Sequence, residues 1–175
     1  MASASLAKFS DLLRHQLYES NDSLIPLKKE IDYLENFIEL EKLRQSPDLT
    51  TEFNINDDYS PGLGIAPFIL MTFVENAFKH VSKHKNSPNW IKMDLEIDRL
   101  ALKMHIANSR ADNDSQQAIH YGGIGLKNVQ RRLDLLYPER YQLDIQQTAN
   151  DFRVNLDLQL AEVAVNPSLE FMEKQ

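Results

Sequence analysis

Two amphipathic stretches lie at the start of the chain, each with apolar residues at the three- and four-residue spacing of one helix face. The first runs from Ser3 to Asn21, and the second, which Pro26 begins, runs to about Gln45. The pattern predicts two helices joined by a short polar loop. Because little sequence surrounds the first apolar stripe, we expect that helix to pair with another chain or with a helix outside this sequence.

A more apolar stretch in the middle of the chain predicts a third helix, which Pro67 begins and which runs to Val81. Thr50–Ile55 before it has the composition of a short strand. The Asn, Asp, Pro and Gly residues between Asn56 and Gly64 predict a loop that joins the strand to the helix.

Strict alternation of apolar and polar residues marks four further segments, which predicts half-buried β-strands. Asp98 and Arg99 separate the first two segments, so these are expected to form a hairpin. His105 falls on the polar face of its strand, where exposure to solvent is expected. The four predicted strands are Ile91–Ile97, Leu100–Ile106, Tyr141–Gln147 and Phe152–Leu160.

A polar segment without periodicity, from Asn108 to Tyr121, predicts a loop long enough to be functional. A helix is predicted from Gly125 to about Leu136. The chain then divides into helical residues 1–46, a domain of residues 47–160 and a loosely attached tail of residues 161–175. About five strands with helices mostly on one face predict an α+β fold, a two-layer sandwich.

Composition excludes several classes of function. The 175 residues carry a net charge of −7, which argues against general nucleic-acid binding because no basic surface compensates phosphate. The sequence has no cysteine, so disulfides, thiolate chemistry and cysteine-bound metal are excluded. No apolar run approaches the ~18 residues needed to cross a bilayer, and no signal-peptide pattern is present. We expect a cytosolic domain, with any membrane anchor of the full-length protein outside this sequence.

The predicted central helix carries the strongest candidate site. Asn76, Lys79 and His80 fall within about one turn of a single helix face, and Glu75 flanks that face. A carboxamide, an ammonium group and an imidazole on an otherwise apolar helix favour the binding of a polyanion. The plainer alternative is an exposed ion pair between Glu75 and Lys79, with His80 at a helix end.

A glycine cluster from Tyr121 to Leu126 (YGGIGL) opens the next predicted helix. Backbone N–H groups in such a cluster can bind phosphate at a helix N-terminus, although a glycine cluster alone more often forms a turn. The cluster and the polar residues of the central helix, in this order, together predict a nucleotide site.

These segments also carry a family likeness. Residues 67–81 (PFILMTFVENAFKHV) resemble the N-box of the GHKL ATP-binding fold, and residues 121–133 (YGGIGLKNVQRRL) resemble its second glycine box. Residues 9–18 and the helix that ends at Arg44 resemble the region linking dimerisation and ATP-binding domains in LytS/YehU-type sensor histidine kinases. The likeness covers roughly residues 6–160 and implies a Bergerat-like sandwich with a mixed sheet.

The resemblance implies ATP and Mg²⁺ bound between the sheet and the central helix. Asn76 would ligate a Mg²⁺ ion that bridges the phosphates, since magnesium prefers oxygen ligands and keeps several waters. Lys79 and His80 would offset phosphate charge, and Glu75 would act in catalysis by positioning water or the incoming imidazole. Thr72 stands one turn before Asn76, where many members of the wider fold have a carboxylate or a carboxamide.

The same resemblance places phosphate against backbone amides around Gly123, Gly125 and Leu126. For adenine, the family's box reads Asp-x-Gly-x-Gly, whereas Ala107–Arg110 at the matching place contains no glycine. Asn108 can accept a hydrogen bond from the adenine amino group through its carboxamide oxygen, but it cannot accept as an anion. A weaker adenine contact is therefore expected.

The implied function is that of the ATP-binding catalytic fragment of a two-component sensor histidine kinase. Such a kinase transfers the ATP γ-phosphoryl to a histidine and then to an aspartate of a response regulator, and the full-length protein would be a homodimer. The family's Pro-His-Phe-type acceptor motif is absent and His15 lies outside any such motif, so the acceptor histidine is expected outside this chain. The alternatives are a degenerate GHKL-fold binding or dimerisation module with weak or no nucleotide binding, and an ATPase or protein-serine kinase.

Overall fold

The computed structural model describes residues 23–56, 61–83, 87–110 and 124–163. Several sequence-based predictions lie outside these ranges: the helix from Ser3 to Asn21, His15, most of the polar loop that ends at Tyr121, Gly123 and the greater part of the C-terminal tail. The order of elements within the described ranges is β1 (Ile25–Pro26), α1 (Leu27–Arg44), β2 (Leu49–Ile55), β3 (Leu63–Ile65), α2 (Ile69–His80), β4 (Asn89–Asp98), β5 (Ala101–Ser109), α3 (Ile124–Leu136), β6 (Tyr141–Gln147), β7 (Asp151–Gln159) and β8 (Ala161–Glu162).

The main sheet has five strands in the order β2-β4-β5-β7-β6. The edge strand β2 runs parallel to β4, and the other neighbouring strands run antiparallel to each other. The β4–β5 hairpin brings Ile91 opposite Asn108, and β7 brings Phe152 opposite the same asparagine. The predicted mixed sheet of five strands is confirmed.

Helices cover one face of this sheet, and the alternation of each strand decides which side chains face them. The inward positions of β4, β5 and β7 are buried, whereas outward residues such as Lys92, Lys103, His105 and Asp157 are exposed. The α+β two-layer sandwich is therefore confirmed. The buried inward residues are Ile91, Met93, Leu95, Ile97, Leu102, Met104, Ile106, Val154, Leu156 and Leu158.

A second, three-stranded sheet was not predicted from the sequence. Strands β1, β3 and β8 form it in the order β1-β3-β8, with Ile25 opposite Ile65 and Gly64 opposite Ala161. A Cβ at Gly64 would come within 2.5 Å of a Val163 methyl group, so glycine allows this close approach. The predicted loop up to Gly64 and the predicted tail from residue 161 thus both contribute short strands.

Several boundaries differ from the sequence-based prediction, and the backbone explains two of these differences. Helix α2 begins at Ile69 rather than at Pro67, because Phe68 has a left-handed backbone with φ of 64° and cannot continue a right-handed helix. Asn108 and Ser109 belong to β5 rather than to a loop, since they continue its pairing with β4 and β7. Helix α1 begins at Leu27, one residue after the predicted Pro26.

Candidate functional site

The polar residues of the central helix lie on the side of α2 that the core leaves open. Asn76 is half-buried, and Glu75, Lys79 and His80 are exposed at the C-terminal half of the helix. The opposite side of α2 carries fully buried residues such as Phe73. The structure thus brings the four predicted side chains to one end of one helix, with Asn76 closest to the protein interior.

The N-terminus of α3 lies beside the first half of α2. A Cβ added at Gly125 would lie 3.8 Å from the Thr72 Cγ2 atom, which places the first turn of α3 about one helical turn from Asn76. The Thr72 hydroxyl donates to the Phe68 carbonyl oxygen at 2.7 Å, so its methyl group is the part that faces α3. Leu126 is buried at 4% exposure and packs in the hydrophobic core behind the first turn of α3.

Asn108 lies on the inward face of β5, at the end of the strand. Its side chain is 1% exposed, and its Nδ2 atom donates to the Ser109 carbonyl oxygen at 3.0 Å. Its Oδ1 atom accepts no hydrogen bond from the part of the chain that the structure describes. A buried carbonyl oxygen without a donor costs free energy, so this atom suits a ligand that supplies an N–H group.

A buried polar cluster, which sequence reasoning missed, joins the end of α2 to the same end of the sheet. The Ser82 hydroxyl bonds with Asn89 Oδ1 at 2.7 Å and with the Ser109 hydroxyl at 2.6 Å. The Ser82 backbone N–H donates to the Ser109 carbonyl oxygen at 2.8 Å, and Trp90 N–H donates to Ser109 Oγ at 2.9 Å. The cluster fixes the residue next to Asn108 against α2.

Arg110 continues this fixation beyond the end of β5. Its backbone N–H donates to the Asn150 carbonyl oxygen at 2.8 Å, and its guanidinium donates to the Thr148 carbonyl oxygen at 3.1 Å. Both acceptors belong to the turn between β6 and β7. Ser109 and Arg110 are therefore structural anchors at the end of β5.

Glu30 of α1 is the second feature that the sequence did not reveal. Its side chain is 1% exposed, and its carboxylate accepts three backbone N–H groups at the start of α2. Phe68 N–H donates to Oε2 at 3.0 Å, while Leu70 and Met71 N–H donate to Oε1 at 3.2 and 3.4 Å. The signal in the sequence is its position next to Ile31 on the buried stripe of α1.

Burial sets the charge state of Glu30. Desolvation raises the pKa of the Glu30 carboxyl from 4.5 to about 7, against the opposing effect of the three backbone donors and of the Arg132 charge. Tyr137, whose hydroxyl accepts the Ala66 N–H at 2.7 Å, is buried nearby, and burial also raises the pKa of its phenol. Glu30 therefore titrates near neutral pH.

Helix α2 places these features in a row. Its first turn is held by Glu30, its next turn faces α3 at Thr72, and Asn76 follows. The buried Asn108 lies beside its C-terminal end. An extended ligand with a polyanionic end near α3 and a donor-bearing ring near Asn108 matches this order. Among the described residues no cluster of three or more His, Asp or Glu side chains could hold a metal ion by itself.

Comparison with known proteins identifies relatives of one kind. The family model described as "Histidine kinase" matches residues 1–49. The sensor protein LytS of Staphylococcus haemolyticus is 28% identical over 153 residues, which cover 82% of this chain and 26% of that protein. LytS of Oceanobacillus iheyensis is 26% identical over 82% of this chain and 26% of its own length. The chain spans about a quarter of the length of these relatives.

Solved structures agree on the fold. A histidine kinase domain from Erythrobacter litoralis superimposes with a TM-score of 0.56 at 13% identity, over 89% of this chain and 74% of that one. The histidine kinase AdeS of Acinetobacter baumannii gives 0.51 at 13% identity, over 90% of this chain and 76% of that one. Within the described residues, none of the helices is both long and apolar enough to span a membrane.

Proposed function

The chain is related to the LytS-type sensor histidine kinases and has the fold of histidine kinase catalytic domains, and on this basis we propose that it binds ATP for phosphoryl transfer to a histidine. The observation that carries the proposal is the buried Asn108 Oδ1 atom, which lacks a donor among the described residues. The adenine amino group is a donor of the kind that this oxygen needs. Asn108 would thus bind the base at the C-terminal end of α2.

The phosphates would lie towards Asn76 and the start of α3. Asn76 would supply one oxygen ligand to Mg²⁺, with waters and phosphate oxygens completing the shell, and its half-buried position suits an ion shared with a ligand. Lys79 and His80 would offset the phosphate charge. Backbone N–H groups around Gly123, Gly125 and Leu126 would bind phosphate oxygens, because the first turn of a helix leaves such donors without intrahelical partners.

In the proposed reaction the bound Mg-ATP supplies the γ-phosphoryl group, and the protein aligns it with a histidine outside this chain. Glu75, which is exposed beside Asn76, would orient the incoming imidazole. The phosphohistidine would then pass its phosphoryl group to an aspartate of a response regulator. The full-length protein would work as a homodimer, as the family's dimerisation region implies, and residues 1–46 would belong to that region.

One observation favours a second candidate function, a degenerate module that dimerises and binds little or no nucleotide. Where the family's box has its first glycine, Arg110 is held by hydrogen bonds from its backbone N–H and its guanidinium, and the neighbouring Ser109 is held by Ser82 and Trp90. A strand end fixed in this way does not have the backbone freedom of a glycine-containing box. The degenerate module and the kinase differ in whether Mg-ATP binds.

Calorimetric titration of the 175-residue chain with ATP, with and without Mg²⁺, separates the two functions. We expect magnesium-dependent binding that Asn76→Ala removes and that the matched control Asn54→Ala leaves unchanged. Asn54 suits this role because it bonds Asp94 across the exposed strand pair β2–β4, away from α2. No heat at millimolar ATP would favour the degenerate module, and full binding by Asn76→Ala would refute the metal placement.

A further inference from the structure

Helix α2 lacks a side-chain cap of its own at its N-terminus. The residue at its N-cap is Phe68, whose side chain has no acceptor, and no side-chain cap bond is made from that position. The N–H groups of the first turn of a helix need acceptors from elsewhere when they are buried. Glu30 provides them from a different helix, 38 to 41 residues away in the sequence.

We infer that Glu30 is a positioning residue, which fixes α2 and the Asn76 it carries relative to α1. The inference rests on the proposed function. One carboxylate bonds Phe68, Leu70 and Met71, and so restrains α2 both along its axis and in its rotation about that axis. Asn76 lies six residues after Leu70 on the same helix, about 9 Å along its axis. A rigid helix carries a displacement of its first turn to that position.

The link joins a helix inside the segment that matches the family model to a helix outside that segment. Helix α1 falls within residues 1–49, which match the histidine kinase family model, whereas α2 belongs to the domain that carries the candidate site. Apolar residues of α1 such as Ile31 and Leu34 also pack in the shared core, but they give no directional bond. The Glu30 carboxylate is thus a directed contact by which a shift of α1 reaches Asn76.

Two polar groups from neighbouring elements face Glu30 and bear on its charge. Arg132 of α3 favours the ionised form, and the Tyr137 phenol after α3 is close enough for the Glu30 charge to affect it. Ionised Glu30 offers acceptor lone pairs to all three N–H groups, whereas the protonated carboxyl must place one proton among these donors. The restraint that Glu30 places on α2 should therefore be strongest above neutral pH.

The test compares Mg-ATP affinity of the wild-type chain, Glu30→Gln and Glu41→Gln by calorimetry at about pH 6 and about pH 8. Glu41 is the matched control because it is buried on the same helix. Its carboxylate accepts hydrogen bonds from Arg44, the last residue of α1, and from Gln45, the C-cap residue. Far-UV circular dichroism of each variant establishes that it is folded at the titration temperature. The folded fraction is included in every fit.

We expect Glu30→Gln to weaken Mg-ATP binding about tenfold at the higher pH, near the value of one charge-assisted hydrogen bond, and clearly less at the lower pH. Glu41→Gln should stay within about twofold of wild type at both values. Equal affinities of folded Glu30→Gln and wild type at both pH values would overturn the inference. A loss of Mg-ATP affinity of the same size at both pH values would also overturn it. Absence of Mg-ATP binding by the wild-type chain would instead refute the proposed function.

Discussion

Replacing Glu30 by glutamine is expected to change how the stability of the chain depends on pH. The folded-state pKa of this carboxyl is raised from 4.5 to about 7 because the side chain is buried. Between these two values the folded protein holds a proton that the unfolded chain has released. The free energy of unfolding contributed by Glu30 therefore falls as pH rises from 4.5 to 7 and is constant above that range.

The magnitude follows from the size of the shift. A shift from 4.5 to about 7 is worth about 3 kcal/mol over the whole window, at about 1.4 kcal/mol for each pKa unit. Between about pH 5.5 and about pH 8 the expected part is about 2 kcal/mol, because some of the loss occurs below pH 5.5. Glutamine does not titrate, so the unfolding free energy of the variant lacks this contribution to its pH dependence. The other titrating groups of the variant are those of the wild type.

Urea unfolding at both pH values, followed by circular dichroism, gives the two free energies for wild type and for Glu30→Gln. The quantity of interest is the stability of the variant minus that of wild type, which should rise by about 2 kcal/mol from the lower to the higher pH. Glu41→Gln, treated in the same way, shows the effect of removing a carboxylate from α1 at a site that does not cap α2. If the Glu30→Gln and wild-type curves run parallel, the buried carboxyl does not titrate near neutrality and the reasoning fails.

Three further substitutions test other parts of the structure. Asn108→Leu removes the buried acceptor, so the affinity for ATP measured by calorimetry should fall about tenfold. The preference for ATP over GTP should also disappear, because guanine has a carbonyl where adenine has its amino group. Tyr137→Phe leaves the Ala66 N–H without its acceptor and should lower unfolding free energy in urea by about 1–3 kcal/mol. Ser109→Ala removes the acceptor of the Trp90 N–H and should cost about the same, whereas an unchanged midpoint would contradict the buried cluster.

The strands of strict alternation were the most predictable part of the fold. Tyr141–Gln147 is β6 without any change of boundary, and the other three alternating segments lie within β4, β5 and β7 or differ by one residue at an end. Alternation with a period of two indicates a strand in a sheet with one buried face, and the five-stranded sheet has one buried face. The small sheet of β1, β3 and β8 could not be read in this way, since strands of two or three residues are too short to show a period.

The candidate site was predictable where its residues break a pattern. Asn76, Lys79 and His80 were noticeable because polar side chains interrupt an apolar helix, and the structure places them together at one end of α2. Their roles in nucleotide binding remain predictions. Glu30 was not noticeable, because a glutamate on a charged amphipathic helix is ordinarily exposed. Its place on the buried stripe of α1 is a local signal of burial, but its three backbone partners lie about 40 residues away, and no local pattern encodes such a contact.

Asn108 in the place of the family's aspartate would have two opposite effects on the proposed nucleotide binding. A carboxamide accepts a hydrogen bond more weakly than a carboxylate does, so Asn108 contributes less attraction than the family's aspartate. However, its Nδ2 atom already donates to the Ser109 carbonyl oxygen, and the Ser109 hydroxyl is bonded to Ser82 and Trp90. These contacts fix the direction of the Asn108 Oδ1 atom before a ligand binds. An acceptor that is already ordered loses little conformational entropy on binding, and a neutral one has no ionic desolvation to overcome. Asn108 in the place of the family's aspartate is therefore compatible with the proposed adenine contact.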